Sequence, residues 1–263
     1  MKKYAIIQNN YTETQELVKK LETTHLKNGW IKDQVNPDFV FIIGGDGTFL
    51  RAVEEYNKSL DSINFVPFKS GGIGFYTNHN KMGDEKATIS AIENGDFTIN
   101  YFDVLNVEFG SEQFLALNEL KLINDSRARD IKIIINNELL QNFKGSGLCI
   151  TTANGSTGFS KSNGGSVVIA DSGIIQISEI SPINNNNYHS LQAPIILGPN
   201  HKVALQIENN SHNLFIDTKL KKLDANEIQI SLLQNKVKVI STIKNGPTKI
   251  KLLRDIFIKD GLK

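Results

Sequence analysis

The chain has a single cysteine, Cys149, so no intramolecular disulfide can form. Its five histidines are scattered without ligand spacing, which gives no structural metal site to read. No apolar stretch reaches the roughly 18 to 20 residues that cross a bilayer. The formal net charge is only +1 and no long run of one sign occurs, so there is no electrostatic footprint for nucleic acid. At the N-terminus, "MKKYAIIQNNYTE" places two lysines before an apolar core of only Tyr4 to Ile7. That core is too short for a signal peptide and reads as a first strand. There is no internal repeat, and only Asn184 to Asn187 counts as low complexity. Together these absences lead us to expect a soluble cytoplasmic protein with no membrane anchor, no nucleic-acid partner and no structural metal.

What is present is ordinary globular composition, 40% hydrophobic and 22% charged over 263 residues, enough for one large or two smaller cores. The first hundred residues alternate in character. "KYAIIQ" has strand character, and "TETQELVKKLETTHL" has helical spacing with Thr12 or Thr14 as cap. Strand "DFVFII", helix "FLRAVEEYN", strand "INFVPFK", the glycine-rich "SGGIGFY" and helix "DEKATISAIENG", closed by Gly95, follow. Strands separated by helices indicate parallel βαβ units. From Tyr101 to about Lys244 the runs are short, lack helical periodicity and are broken by Asn, Gly, Asp or Pro. The expected architecture is therefore α/β followed by all-β. An N-terminal Rossmann-like α/β domain with a parallel sheet spans residues 1–100, and an antiparallel β-sandwich domain spans 101–245. The tail, 246–263, reads as a strand leading into a terminal helix and is able to return to the first domain.

The most informative stretch is "PDFVFIIGGDGTFLRAVEEYN", residues 37–57. Phe39 to Ile43 is a continuous apolar run, as for a central parallel strand buried on both faces. Ligands of such sheets bind beyond the carboxyl ends of the strands. Gly44, Gly45 and Gly47 permit positive φ and close backbone approach. Thr48 is placed to cap the next helix, whose free N–H groups and dipole favour an anion such as phosphate. Asp46 does not fit a plain phosphate loop, because a carboxylate repels phosphate. It suits a cation-coordinating group, an acceptor for the proton of an attacking hydroxyl, or an Asx turn. A dinucleotide fingerprint fails at Leu50, and no Walker loop follows. Downstream, "LALNELKL" sets Asn118 beside Glu119 in a β run, donors and acceptors suited to ribose hydroxyls or an adenine amine. "TTANGSTGFSKSNGG", residues 151–165, is either a polar ligand loop or a flexible one.

GGDGT alone is shared with diacylglycerol kinases, sphingosine kinases and phosphofructokinases. The succession GGDGT, "KSGGIGFYT", LNE, GSTGFSKSNGG and "EISPINNNNYHSLQAPIIL" resembles the NAD kinase family over roughly residues 38–200. The resemblance implies phosphoryl transfer from ATP or polyphosphate to the 2′-hydroxyl of the adenosine ribose of NAD, giving NADP. It implies Mg²⁺ or another divalent cation on the donor, and a homodimer or homotetramer. By the same resemblance Asp46 is the catalytic base, with Gly45, Gly47, Thr48, Arg51 and Phe75 around it. Asn118 and Glu119 hold the adenosine half. Ser156, Thr157, Gly158, Phe159, Ser160, Lys161 and Ser162 form the loop beside it, with Lys144, Ser146, Ser181 and Ile183 also at the ligand. Three departures are Ser146 for an acidic residue, Phe159 for tyrosine, and Ala153-Asn154 for a Pro-containing pair. Competing readings are a non-catalytic NAD(P)-binding regulator and a lipid or sugar kinase sharing the GGDGT loop.

Overall fold

A computed structural model describes residues 1–69, 74–80, 82–124, 126–169, 173–207, 212–243 and 248–258. Ser70 to Ile73 of the second glycine loop, and residues 246–247 and 259–263 of the expected tail, lie outside the described residues. In chain order the elements are β1 Lys2–Gln8, α1 Thr12–Lys20, β2 Trp30–Lys32, β3 Phe39–Gly44, α2 Asp46–Glu55, β4 Asn64–Lys69, α3 Glu85–Asn94 and β5 Thr98–Phe109. There follow β6 Glu112–Ala116, β7 Glu119–Ile123, β8 Arg129–Ile135, β9 Glu138–Thr152, α4 Phe159–Ser162, β10 Ile175–Pro182 and β11 Ile195–Leu197. The last are β12 Val203–Ile207, β13 Asn213–Ile216, β14 Lys219–Lys221, β15 Glu227–Ser241 and α5 Lys249–Leu253, continued by a wider helical turn, Arg254–Ile258. Among the described residues no helix is long and apolar enough to cross a membrane.

The chain forms two compact units, residues 1–102 with 236–263, and residues 103–235. In the first, β2, β1, β3 and β4 pair in parallel, and Lys238 and Val239 of β15 add a further parallel strand beside Asn64 and Phe65 of β4. The β domain read from the sequence as 101–245 therefore loses its last residues to the first unit. The alternation of β15 could not show this, because period 2 says nothing about which sheet a strand joins. All six residues of β3 are buried, the pattern of a strand covered on both faces. Around it pack Tyr4, Trp30, Phe39, Phe41 and Phe68, mostly edge-on or tilted, and Leu21, Ile89 and Ile92 cover them from helical segments.

Two helix ends differ from expectation. Helix α2 begins at Asp46 with Gly45 as its N-cap, so Thr48 lies buried inside the first turn rather than capping it. Near α1, the Asn9 carboxamide accepts from Tyr11 N–H and Thr14 Oγ1, so neither Thr12 nor Thr14 is the cap. Gly95 does close α3, at φ 75°, as its position suggested. From Thr248 to Ile258 the tail is helical rather than strand-led, opened by the Thr248 hydroxyl accepting from Lys251 N–H. It packs in the first unit, where the Phe257 ring lies 6.2 Å from that of Phe75.

In the second unit the strands pair antiparallel: β14-β13-β7-β9-β8-β12-β15 in order, with β10 against β9 and β11, and β6 against β5. Leu105, Leu122, Phe143, Ile150, Val203 and Ile228, drawn from β5, β7, β9, β12 and β15, meet in one apolar cluster, as the inner faces of a sandwich do. The α/β-then-β architecture is the one expected.

Glu85, at the start of α3, is almost fully buried and holds the first unit's helical layer. Burial acts to raise its pKa, but the Gly83 N–H, the Lys20 ammonium and its own N–H outweigh it and hold the carboxyl below the ordinary 4.5. Its stabilisation is thus complete above about pH 4.5 and is lost as pH falls through the lower folded value. Glu85→Gln should destabilise by about 1.5 to 3 kcal/mol at neutral pH, the range for hydrogen bonds to charged groups. The deficit should shrink as urea titrations move to acid pH. A deficit unchanged down to about pH 3 would show that the charge contributes nothing.

Candidate active site

In the first unit the carboxylate of Asp46 is fixed from one direction. Oδ2 accepts the Phe75 N–H at 2.7 Å, and Oδ1 accepts the Tyr76 N–H at 3.1 Å and the Thr77 hydroxyl at 3.2 Å. Its described partners thus lie some thirty residues away in sequence, whereas an Asx turn closes on its own loop. Gly74 permits the approach, since a Cβ there would stand 2.5 Å from Asp46 Oδ1. The partner loop is itself held, by Tyr76 stacked on Phe49 of α2 at 5.0 Å and packed edge-on against Phe102 at 5.3 Å. Below it the Asn80 carboxamide bridges β4 and β15, donating to the Pro67 and Ile240 carbonyls and accepting from Thr242. Gly44, Gly45 and Gly47 do not take positive φ; Gly45 has φ −94°. What Gly45 and Gly47 provide is open space where side chains would stand. Arg51 is exposed and donates to the Gln8 carbonyl at the end of β1, so its guanidinium serves the sheet edge.

The second unit holds Asn118 and Glu119 by their backbone. The Asp217 carboxylate accepts from the N–H groups of Leu117 at 2.9 Å, Asn118 at 2.8 Å and Glu119 at 3.1 Å. On the other side the Leu117 carbonyl accepts from Thr152 Oγ1, and the Asn118 carbonyl from Thr151 Oγ1 and the Thr152 N–H. Gly155 abuts that carbonyl so closely that a Cβ would come within 2.3 Å of it. The Glu119 side chain is buried; its Oε1 pairs with Lys121 at 3.3 Å and its Oε2 is buried without a partner among the described residues. Burial raises the Glu119 pKa, Lys121 opposes and Asp217 adds to the rise.

The residues after β9 divide by role. Ser156 and Ser160 are fully buried, and their hydroxyls are engaged within the protein. Ser156 Oγ donates to the Ala153 carbonyl and accepts the Val168 N–H, while Ser160 Oγ accepts from Gln176. These two fix the loop. Thr157 and Phe159 are half-buried, and Gly158, Lys161 and Ser162 are exposed. A third group gathers where β9 meets β10. The Ile183 N–H donates to the Lys144 carbonyl, and Ser181 has φ 44°, with its carbonyl against Gly145. The Ser146 carbonyl accepts the Asn124 N–H. Lys144 reaches Tyr188 Oη and Asp130, both at 3.1 Å, which raises its pKa, and lies 4.5 Å above the Tyr188 ring. A groove of about 420 Å³ runs beside it, lined by Asp130, Lys132, Asn142, Tyr188 and Gln206.

Asp217 and Lys121 were not singled out by sequence reasoning, and Thr151 and Thr152 entered it only as the start of the 151–165 stretch. Asp217 sits at φ 50° between β13 and β14 and reads locally as a turn aspartate. Only the fold brings it to residues 117–119.

Comparison with known proteins agrees with this arrangement. Residues 117–242 match the family described as ATP-NAD kinase C-terminal domain. An NAD kinase of Limosilactobacillus reuteri is 34% identical, covering 81% of this chain and 80% of its own length. One from Lacticaseibacillus paracasei is 35% identical over 74% of each. Among solved structures, yeast NADH kinase complexed with NADH shares the fold with a TM-score of 0.81 at 18% identity, covering 100% of this chain and 90% of that one. An NAD kinase from Archaeoglobus fulgidus in complex with ATP gives 0.72 at 19% identity over 97% of each chain. The identity to the bacterial relatives over most of the length carries the assignment: this chain belongs to the NAD kinase family.

Proposed function

We propose that the protein transfers the terminal phosphoryl group of ATP to the 2′-hydroxyl of the adenosine ribose of NAD, forming NADP, with polyphosphate the alternative donor. The observation that carries the reading is the fixed Asp46 carboxylate, anchored by Phe75, Tyr76 and Thr77 beside two glycines that leave the loop bare. Phosphoryl transfer passes through a loose transition state, so positioning and charge neutralisation dominate. A carboxylate that is already oriented can align the hydroxyl and take its proton late, without reorganising. Asn118 and Glu119 are assigned to the adenosine half of NAD, and their clamped backbone supports that role. Thr157, Gly158, Phe159, Lys161 and Ser162 would line the same ligand, and Lys144, Ser146, Ser181 and Ile183 would meet it at another part. Ser156, Ser160 and Arg51 are assigned supporting roles, because their polar groups are engaged in the fold.

Among the described residues no three acidic, histidine or cysteine side chains cluster as a cation cage. Mg²⁺ therefore fits as a companion of the donor phosphates, where it would neutralise their charge. We also infer a cytoplasmic homodimer or homotetramer; Leu139, Leu140, Leu191 and Ile196 of the second unit expose apolar surface that such contacts use.

Two outcomes test the reading. Asp46→Asn should lower kcat by at least about 10² in a coupled assay with NAD, ATP and Mg²⁺, with little change in NAD affinity. Near-normal turnover would return Asp46 to a structural role, and Tm separates loss of chemistry from loss of the loop. Asp217→Ala strands three backbone N–H groups. It should destabilise by about 2 to 4 kcal/mol in urea and weaken NAD binding by about tenfold, with Asp217→Asn intermediate. Stability and affinity equal to those of the unaltered protein would show that the clamp holds nothing.

A further inference from the structure

Strand β7 turns Leu120 and Leu122 into the core and Glu119 and Lys121 to the opposite face, two residues apart on one side of the pleat. Thr151 and Cys149 of β9 stand opposite them on one flank, and Phe215 of β13 stands opposite Lys121 on the other. The Lys121 ammonium lies 5.6 Å from the centre of the Phe215 ring and 4.9 Å from that of Phe159, the first residue of α4. Two aromatic faces and one carboxylate oxygen thus surround a lysine whose side chain is only 16% exposed. A cation held between rings and paired to a carboxylate is confined in position as well as in charge. The consequence falls on Glu119. Its Oε1 is taken by Lys121, while its Oε2 is buried, without a described partner, and faces bare, exposed Gly158, where a Cβ would lie 3.8 Å away. A buried carboxylate oxygen left unpaired is expensive unless a ligand donor completes it.

We propose that Lys121 is a positioning residue for substrate recognition: caged by Phe159 and Phe215, it fixes Glu119 through Oε1 and leaves Oε2 as the acceptor for a hydroxyl or amine donor of the nucleoside half of NAD. This rests on the reading of Glu119 as a ligand contact and adds the residue that makes the contact work. It also gives the departure at Phe159 a use, since a phenyl face binds the ammonium group without a hydroxyl. The charged and titratable groups facing Glu119 are Lys121 on its own strand, Asp217 between β13 and β14, and the Cys149 thiol on β9. Burial pushes that thiol up to about 12, so it is neutral and adds no charge. Burial and Asp217 both favour protonated Glu119, and Lys121 alone of the three opposes them. Without Lys121, a larger share of the population would present Glu119 as an uncharged acid, a poorer acceptor.

The test is calorimetric NAD binding by the full chain at about pH 6.5 and about pH 8.5, with Tm measured alongside. Lys121→Met should bind NAD about tenfold more weakly at the lower pH and recover to within about threefold at the higher, while the unaltered protein changes little. Lys121→Arg should restore affinity at both, because a guanidinium also pairs with a carboxylate and packs on aromatic faces. Should Lys121→Met fail to fold, Phe215→Leu removes one wall of the cage and should show the same pH trend at about threefold. Unchanged affinity, or a loss equal at both pH values and not rescued by arginine, would overturn the positioning role. Glu119→Gln separates the two layers. If it binds NAD as the unaltered protein does, the contact itself is absent; if it weakens binding while Lys121→Met does not, only the role of Lys121 falls.

Discussion

The Asp217 carboxylate gathers three consecutive backbone N–H groups, and Thr151 and Thr152 hold the carbonyls of the same segment from the other side. Residues 117–119 are thereby fixed in the plane of the sheet and along the strand. The segment joins β6 to β7, where a chain leaving one strand for the next would otherwise present unpaired polar groups to a buried site. Everything proposed for Asn118, Glu119 and Lys121 depends on this fixation, because a side chain is only as well placed as its backbone. Gly155 completes it by letting the loop after β9 lie directly on the Asn118 carbonyl.

The first unit solves the same problem with the roles exchanged. There the functional group is itself the clamp: the Asp46 carboxylate receives the backbone of Phe75 and Tyr76 and the Thr77 hydroxyl. The aromatic contacts Phe49–Tyr76–Phe102 and the Asn80 carboxamide then tie that loop to α2 and to the ends of β4 and β15. A carboxylate held this way, in the catalytic role proposed for Asp46, would need little rearrangement when substrate arrives, which is the condition under which positioning accelerates a reaction. The arrangement also makes Asp46 structural in part, so a change there is felt by the loop as well as by the chemistry.

Much of this was legible in the residues. The buried run Phe39–Ile43, the shift from 3.6-residue to 2-residue periodicity near residue 100, and the Gly95 cap all follow from local chemistry and hold in the structure. Asp46, Asn118 and Glu119 stood out by their types and neighbours, and the structure holds each of them by hydrogen bonds to distant segments. What failed was whatever depended on partners distant in sequence. Thr48 looked like a cap because it precedes an apolar run, yet the glycine before Asp46 already satisfied the geometry. The end of β15 looked like the rest of the β domain, because an alternating strand does not record its neighbours. Asp217 and Lys121 carry little local signal: one is an aspartate in a turn and the other a lysine in a strand. Ser156 and Ser160 looked like ligand hydroxyls, but composition cannot tell a hydroxyl that meets ligand from one that holds its own loop.

The sole thiol of the chain lies on β9 opposite Lys121, sealed from solvent, with burial and then the Glu119 charge both resisting its ionisation. Thiolate is the form that oxidants and alkylating reagents attack. The placement of Cys149 thus leaves the chain's one sulfhydryl buried and protonated, away from such reagents. The same seal makes Cys149 a natural reporter: the rate at which it is alkylated measures how often the sheet around Glu119 opens, free of interference from any second cysteine.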